Sequence, residues 1–265
     1  MEWMYRFHRA MIEEVYMTVN YYAGATEPKA FELAELIIEA YKLYNYSKSG
    51  QVIPPTITLG TSVYAIQHLL HGKALLIDTF KLLGFLAVNN NEASLIFRGT
   101  STMSEWICDG EIHQVNYAPG WGKVHSGFHE IYKSFSTDLI KAVNALPSTV
   151  TSLHVGGHSL GGAVSTLAMV DLIDETRFKA PLHYTYCSPR VGDPEFFEKF
   201  QSSISSSYRI HNTEDIVPTK PDAVSLVSIG VGSLYTHVGN PIPYTHPGAS
   251  IGENHLLETC MNYLK

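Results

Sequence analysis

Long apolar runs are missing from this 265-residue chain; no stretch approaches the length of a membrane-crossing helix, so no integral membrane segment is expected. Charge is also scarce, at 16% of residues, and its balance is negative, with 18 Lys and Arg against 25 Asp and Glu. A net charge of −7 argues against nucleic acid and against attraction to an anionic membrane. Cysteine is limited to Cys108, Cys187 and Cys260, an odd number in distant segments. That usage reads as reduced thiols and not as a disulfide framework. The opening residues, Met1-Glu2-Trp3-Met4-Tyr5-Arg6, contain no uninterrupted apolar core of the secretory kind. A cytoplasmic or leaderless protein is therefore expected, with a secreted one lacking its leader as the alternative. Repeats and low-complexity tracts are absent. Metal ligands do not cluster either: His8, His113 and the pair His68 and His71 fall in separate segments. His68 and His71 are three apart on a predicted helix, and an isolated pair of that kind more often faces solvent.

What is present is a core. Apolar residues make up 45% of the chain, ample for one α/β domain over 1–265, and disorder is not expected. Thr26 and Pro28 mark a helix start, and Leu33, Leu36, Ile37, Ala40, Tyr41 and Tyr44 supply its buried stripe. Phe85 to Val88 and Ala93 to Phe97 flank Asn89-Asn90-Asn91, a hairpin signal. Residues 127–145 read as one helix, 183–187 as a strand, 224–227 with the Gly-rich segment after it as a second hairpin, and 256–264 as an apolar terminal helix.

The segment with the most chemical content is Gly157-His158-Ser159-Leu160-Gly161, preceded by a strand-like run, Leu153-His154-Val155, and followed by a long helix. A serine in a sharp strand-to-helix turn is strained, so its neighbours two before and two after must be small. The turn lifts the Ser159 hydroxyl above the sheet edge and aims a helix N-terminus at any oxyanion formed there.

A nucleophile of this kind needs a base and an orienting carboxylate downstream. Asp171 and Asp174 lie inside the elbow helix, and Asp193 stands where a helix cap is expected. Asp215, in the loop after the strand-like run Ser207 to Asn212, is the better acid. Among the histidines, His211 precedes the acid. His237 and His246 fall in a Gly/Pro-rich hairpin region, 231–247, where ordinary surface histidines are common. His255, just ahead of the terminal helix, is the leading base, with His246 and His237 as alternatives.

Several ordered segments together resemble the fungal-type, class 3 triacylglycerol lipases over roughly residues 30 to 265. They are Phe97-Arg98-Gly99-Thr100, Val124-His125-Ser126-Gly127-Phe128, the elbow Gly157 to Ala163, Pro189 to Pro194, Asn212 to Pro218, and Asn254-His255-Leu256. The resemblance implies an α/β-hydrolase fold, a central mostly parallel sheet with helices on both faces and a short lid helix. It implies the triad Ser159, Asp215 and His255, in agreement with the reading from spacing. It also implies an oxyanion hole from Thr100 and Leu160, with Asp109 anchoring the Thr100 hydroxyl. The lid position is Ser101 to Asp109, where Met103, Trp106 and Ile107 occur at helical spacing. The implied activity is hydrolysis of acylglycerol esters through an acyl-enzyme, without metal or organic cofactor; the partner is a lipid or ester small molecule, at an oil–water boundary if the lid moves. A phospholipase A1 or feruloyl-type carboxylesterase uses the same triad and is the alternative; a non-catalytic lipase-like scaffold is disfavoured because every catalytic position is filled. Residues 1–25 lie outside the resemblance and form an N-terminal extension. The chain gives no reading of oligomeric state.

Overall fold

The computed structural model describes residues 27–74, 77–100, 113–226 and 232–265. Helix α1 (Glu27–Lys48) buries Leu33, Leu36, Ile37 and Ala40, the stripe expected from its 3.6-residue period. Strands β1 (Thr56–Leu59), β2 (Ser62–Ala74), β3 (Ile77–Asn89) and β4 (Glu92–Phe97) follow as an antiparallel meander. The β3–β4 turn falls on the asparagines, with Asn90 at φ 53°.

Next come a small ribbon of β5 (Gln114–Asn116) and β6 (Lys123–His125), then helices α2 (Ser126–Lys133) and α3 (Ser136–Asn144). After them lie β7 (Ser152–His158), α4 (Leu160–Glu175), β8 (Leu182–Tyr186), α5 (Pro194–Ser203) and β9 (Ser207–Asn212). A second ribbon pairs β10 (Val224–Leu226) with β11 (Gly232–Leu234), and β12 (Asn240–Tyr244), α6 (Ile251–Asn254) and α7 (Leu257–Tyr263) complete the chain.

One eight-stranded sheet, in the order β1-β2-β3-β4-β7-β8-β9-β12, organises these elements. From β4 to β12 every pairing is parallel. The sheet is covered on both faces, as parallel strands require. Alternation along β4 shows the two layers: Leu95 and Phe97 join a core with Phe128, Tyr132, Leu167 and Phe196, whereas Ile96 joins Leu33, Ile37, Tyr184 and Cys260 on the other side. Helix α4 is buried almost all round, from Leu160 through Val170, consistent with its apolar sequence. Among the described residues, no helix is long and apolar enough to cross a membrane.

Three expectations need correction. His68 and His71 sit on strand β2, not on a helix. Bulges between Ile66 and His68 and between Leu70 and His71 break the two-residue alternation, which disguises the strand as a helical pattern. The helix expected over 127–145 is two helices, with the break at Ser134 and Phe135. The region 231–247 is not a hairpin: β11 pairs back to β10, and β12 adds in parallel to β9 at the sheet edge, 28 residues further along the chain by residue number from Asn212 to Asn240. His237 there is buried, and its Nε2–H donates to the Pro218 carbonyl at 2.6 Å. By contrast, Asp193 does cap α5, accepting from the Phe196 N–H at 2.8 Å.

Buried histidines give the fold an acid limit. Burial pushes His125 down to about 4 and His183, held between Ser165 and Ser207, down to about 3. Burial and the nearby Arg209 and Arg190 push His237 well below its ordinary value. These rings are neutral in the folded chain, whereas the unfolded chain protonates them near pH 6.5. Their contribution to stability is therefore complete above pH 6.5 and is lost as pH falls toward 4, each ring adding a slope of up to about 1.4 kcal/mol per pH unit. Thermal melting should drop by roughly 10 °C or more between pH 6.5 and 4.5, since each kcal/mol moves Tm by about 2–4 °C in a domain of this size. A melting temperature flat over that interval would show that these rings are protonated in the folded state.

Candidate active site

Strand β7 and helix α4 meet at Ser159, whose backbone has φ 58° and ψ −128°. An L-residue enters that region only under constraint, at a cost of about 1–3 kcal/mol. The constraint is visible in the neighbours. The Ser159 N–H donates to the Tyr186 carbonyl on β8 at 2.9 Å, and its own carbonyl accepts from the Gly162 N–H at 2.8 Å. A Cβ on Gly161 would meet the Phe97 and Arg98 carbonyl oxygens at 2.5 Å each, and one on Gly157 would strike the Gly161 carbonyl. Glycine at 161 thus lets the first turn of α4 press against the end of β4, which a side chain would prevent.

That end of β4 is the segment Arg98-Gly99-Thr100. The buried Arg98 guanidinium donates to the Leu82 carbonyl at 2.6 Å and to the Gly99 carbonyl at 2.5 Å, and it lies 3.7 Å over the Tyr44 ring. A Cβ built on Gly99 would fall 2.8 Å from Ser159 Cβ. The strand end and the serine are therefore in direct contact, with Thr100 the next residue. Leu160 begins helix α4, and the first N–H groups of a helix lack intrahelical acceptors. Asp109 and the lid positions Met103, Trp106 and Ile107 lie outside the described residues.

The residues expected as acid and base come together from loops 40 residues apart in sequence. His255 Nδ1 and Asp215 Oδ2 are 2.6 Å apart, and both side chains are almost fully buried. The second Asp215 oxygen accepts from the Val217 N–H at 2.9 Å, so the carboxylate cannot turn. His255 Nε2 is buried and has no hydrogen-bond partner among the described residues. An imidazole held at Nδ1 by a carboxylate, with Nε2 unengaged, is poised to accept a proton at Nε2.

Two asparagines hold this pair. Asn212, fully buried at the end of β9, donates to the His246 carbonyl at 2.8 Å and to the Asn254 carbonyl at 3.0 Å, and accepts from the His246 N–H at 2.9 Å and the Glu214 N–H at 3.2 Å. Asn254 donates to the Glu214 carbonyl at 2.9 Å and accepts from the Gly248 N–H at 2.6 Å. Both carry the loops of acid and base as one unit. The sequence motifs include these asparagines, but nothing local announces that Asn212 clips three segments together. His246, the alternative base, is exposed and contributes only its backbone to this clip, while His237 bonds to Pro218. Asp171 is engaged elsewhere, accepting from Tyr117 and Tyr132.

The fold also gathers His158, Cys187 and His255, whose ligand atoms lie within 4.8 Å of one another. None of these three is among the histidines weighed from the sequence as metal ligands; they meet because β7, β8 and the His255 loop converge. The donor chemistry does not favour a cation. Contact with Cys260, Sγ to Sγ 3.7 Å, and burial push the Cys187 thiol up, away from the thiolate a metal binds.

The sequence profile of the lipase (class 3) family matches residues 94–225, which span β4, the elbow and the acid loop. A lipase of Rhizomucor miehei is 36% identical over 137 residues, 49% of this chain and 37% of that protein. The secreted mono- and diacylglycerol lipase A of Penicillium cyclopium is 32% identical over 171 residues, 62% of this chain and 52% of that protein. The matches thus span about a third to a half of those relatives' lengths. The solved Rhizomucor miehei lipase–propeptide complex superposes with a TM-score of 0.63 at 26% identity, covering 84% of this chain and 70% of that one. The chain has the α/β-hydrolase fold and belongs to the class 3 lipase family.

Proposed function

We propose that this protein is a serine hydrolase that cleaves carboxylic esters of acylglycerols, with Ser159 as nucleophile, His255 as base and Asp215 as its orienting acid. One observation carries the reading: a buried imidazole fixed at Nδ1 by a carboxylate 2.6 Å away, its ring 4.8 Å by centroid from that of His158, the residue before a strained elbow serine. His255 takes the hydroxyl proton through Nε2 as Ser159 attacks the ester carbonyl, and Asp215 stabilises the imidazolium. The developing oxyanion is met by the N–H and hydroxyl of Thr100 and by the N–H of Leu160, at the positive end of α4. The protonated base then delivers its proton to the departing alcohol, and water, deprotonated by the same ring, releases the acid from the acyl-enzyme.

The surroundings favour an apolar ester. Ile216 follows the acid, Leu256 follows the base and Ile251 opens the short helix before it; all three are exposed, Ile251 to 64%. Apolar side chains standing in water beside a reaction centre suit contact with a lipid surface. Hydrolysis of p-nitrophenyl esters of graded length, an emulsified triacylglycerol and a phospholipid, together with labelling by an organophosphonate, tests the proposal. Labelling at Ser159 with turnover of the triacylglycerol supports it. Turnover confined to the phospholipid or to aryl esters moves the assignment to the alternative activities, and absence of labelling removes it.

Thr100→Val keeps the shape of the side chain and deletes its hydroxyl. Its kcat should fall about 10²–10³-fold, the ordinary consequence of one lost oxyanion donor. Unchanged turnover would leave the backbone N–H groups as the whole of the oxyanion site.

A further inference from the structure

A chain of hydrogen bonds that the ester-cleaving steps do not use joins the two halves of this site. The Gly99 N–H, at the end of β4, donates to the Tyr41 hydroxyl oxygen at 2.9 Å. The Tyr41 hydroxyl lies 2.8 Å from His158 Nδ1. His158 Nε2 lies 3.0 Å from the His255 carbonyl, which can only accept, so Nε2 carries the hydrogen of the neutral ring. Nδ1 is then bare and accepts from the Tyr41 hydroxyl, whose oxygen in turn accepts from Gly99. Each link has one direction, and the chain runs from the strand end that touches Ser159 to the loop that carries His255.

We propose that Tyr41 and His158 are positioning residues of the hydrolytic site, setting the spacing between the Gly99-Thr100 backbone and His255. The inference rests on the serine-hydrolase reading above. Tyr41 stands on α1, a helix well before the family match at residue 94, so this helix completes the site from outside that segment. The relay is suited to stay intact through turnover. Burial and the neighbouring His255 push His158 down to about 3, so it remains neutral when His255 becomes charged. Burial pushes Tyr41 up to about 12, which keeps its hydrogen in place. The His158 and His255 rings lie with centroids 4.8 Å apart, and a neutral ring there spares the imidazolium a like charge at short range.

Tyr41→Phe preserves the ring and removes the link. The Gly99 N–H then loses its acceptor, and His158 is free to exchange tautomers and release the His255 carbonyl. We expect kcat to fall about 10–100-fold, as for a misplacement of about 1 Å, with KM within about twofold. Tyr132→Phe deletes another buried tyrosine hydroxyl, bonded to Asp171 at 2.7 Å, and should keep its kcat, which separates positioning from general loss of stability. His158→Gln, whose amide can accept from Tyr41 and donate to the His255 carbonyl, should retain more activity than His158→Leu. The double variant Tyr41→Phe/His158→Leu should be no slower than the slower single variant, because both break one relay. Full kcat in Tyr41→Phe, or multiplying losses in the double variant, overturns the relay while Ser159→Ala remains inactive. Activity retained in Ser159→Ala overturns the hydrolase reading beneath it.

Discussion

Ser159→Ala should lower kcat for ester hydrolysis by about 10⁶-fold, the scale seen when a triad serine is removed. The oxyanion donors and bound geometry are left in place, so a residue of about 10³-fold over water is expected to survive. The variant also isolates chemistry from folding. Alanine at φ 58° is as constrained as serine, and the Ser159 backbone bonds to Tyr186 and Gly162 do not involve the hydroxyl. Melting temperature should therefore change little while phosphonate labelling disappears. A variant retaining a tenth of the parent turnover would mean that the reaction runs through some other group.

Asp215→Asn should cost about 10⁴-fold in kcat with little change in KM. The reasoning is specific to this site. Asp215 Oδ1 already accepts from the Val217 N–H, so an asparagine there would keep its oxygen on that donor and turn its amide N–H₂ toward His255 Nδ1. The imidazole must then accept at Nδ1 and carry its proton at Nε2, the wrong nitrogen for a base. The fold should survive, because both loops remain clipped by Asn212 and Asn254. A loss of less than tenfold would show that the carboxylate does not set the tautomer.

What was legible in the sequence was local. Gly157, Ser159 and Gly161 announce the elbow because the geometry they serve spans five residues, and the glycines at 157 and 161 meet backbone where a side chain would not fit. Helix α1 was legible from Leu33, Leu36, Ile37 and Ala40, and the β3–β4 turn from its asparagines. The class of fold followed from several such segments in order.

The errors lie where partners are distant. His68 and His71 were placed on a helix because bulges in a 13-residue strand mimic helical spacing. His237 reads as a surface histidine because its Gly- and Pro-rich setting resembles a loop, and its burial rests on a contact with the Pro218 carbonyl 19 residues away in sequence. The roles of Tyr41, His158 and Asn212 depend on contacts across 117, 97 and 42 residues, which no short-range pattern records.

The contorted backbone at Ser159 has an evolutionary consequence. The fold bears this conformational burden continuously, whether or not an ester is bound, and a glycine at the same place would carry it at no steric cost. A lineage with no substrate left to cleave would thus find its easiest route to a sturdier molecule through the position proposed as nucleophile, so that relaxation of selection and loss of that serine point in the same direction.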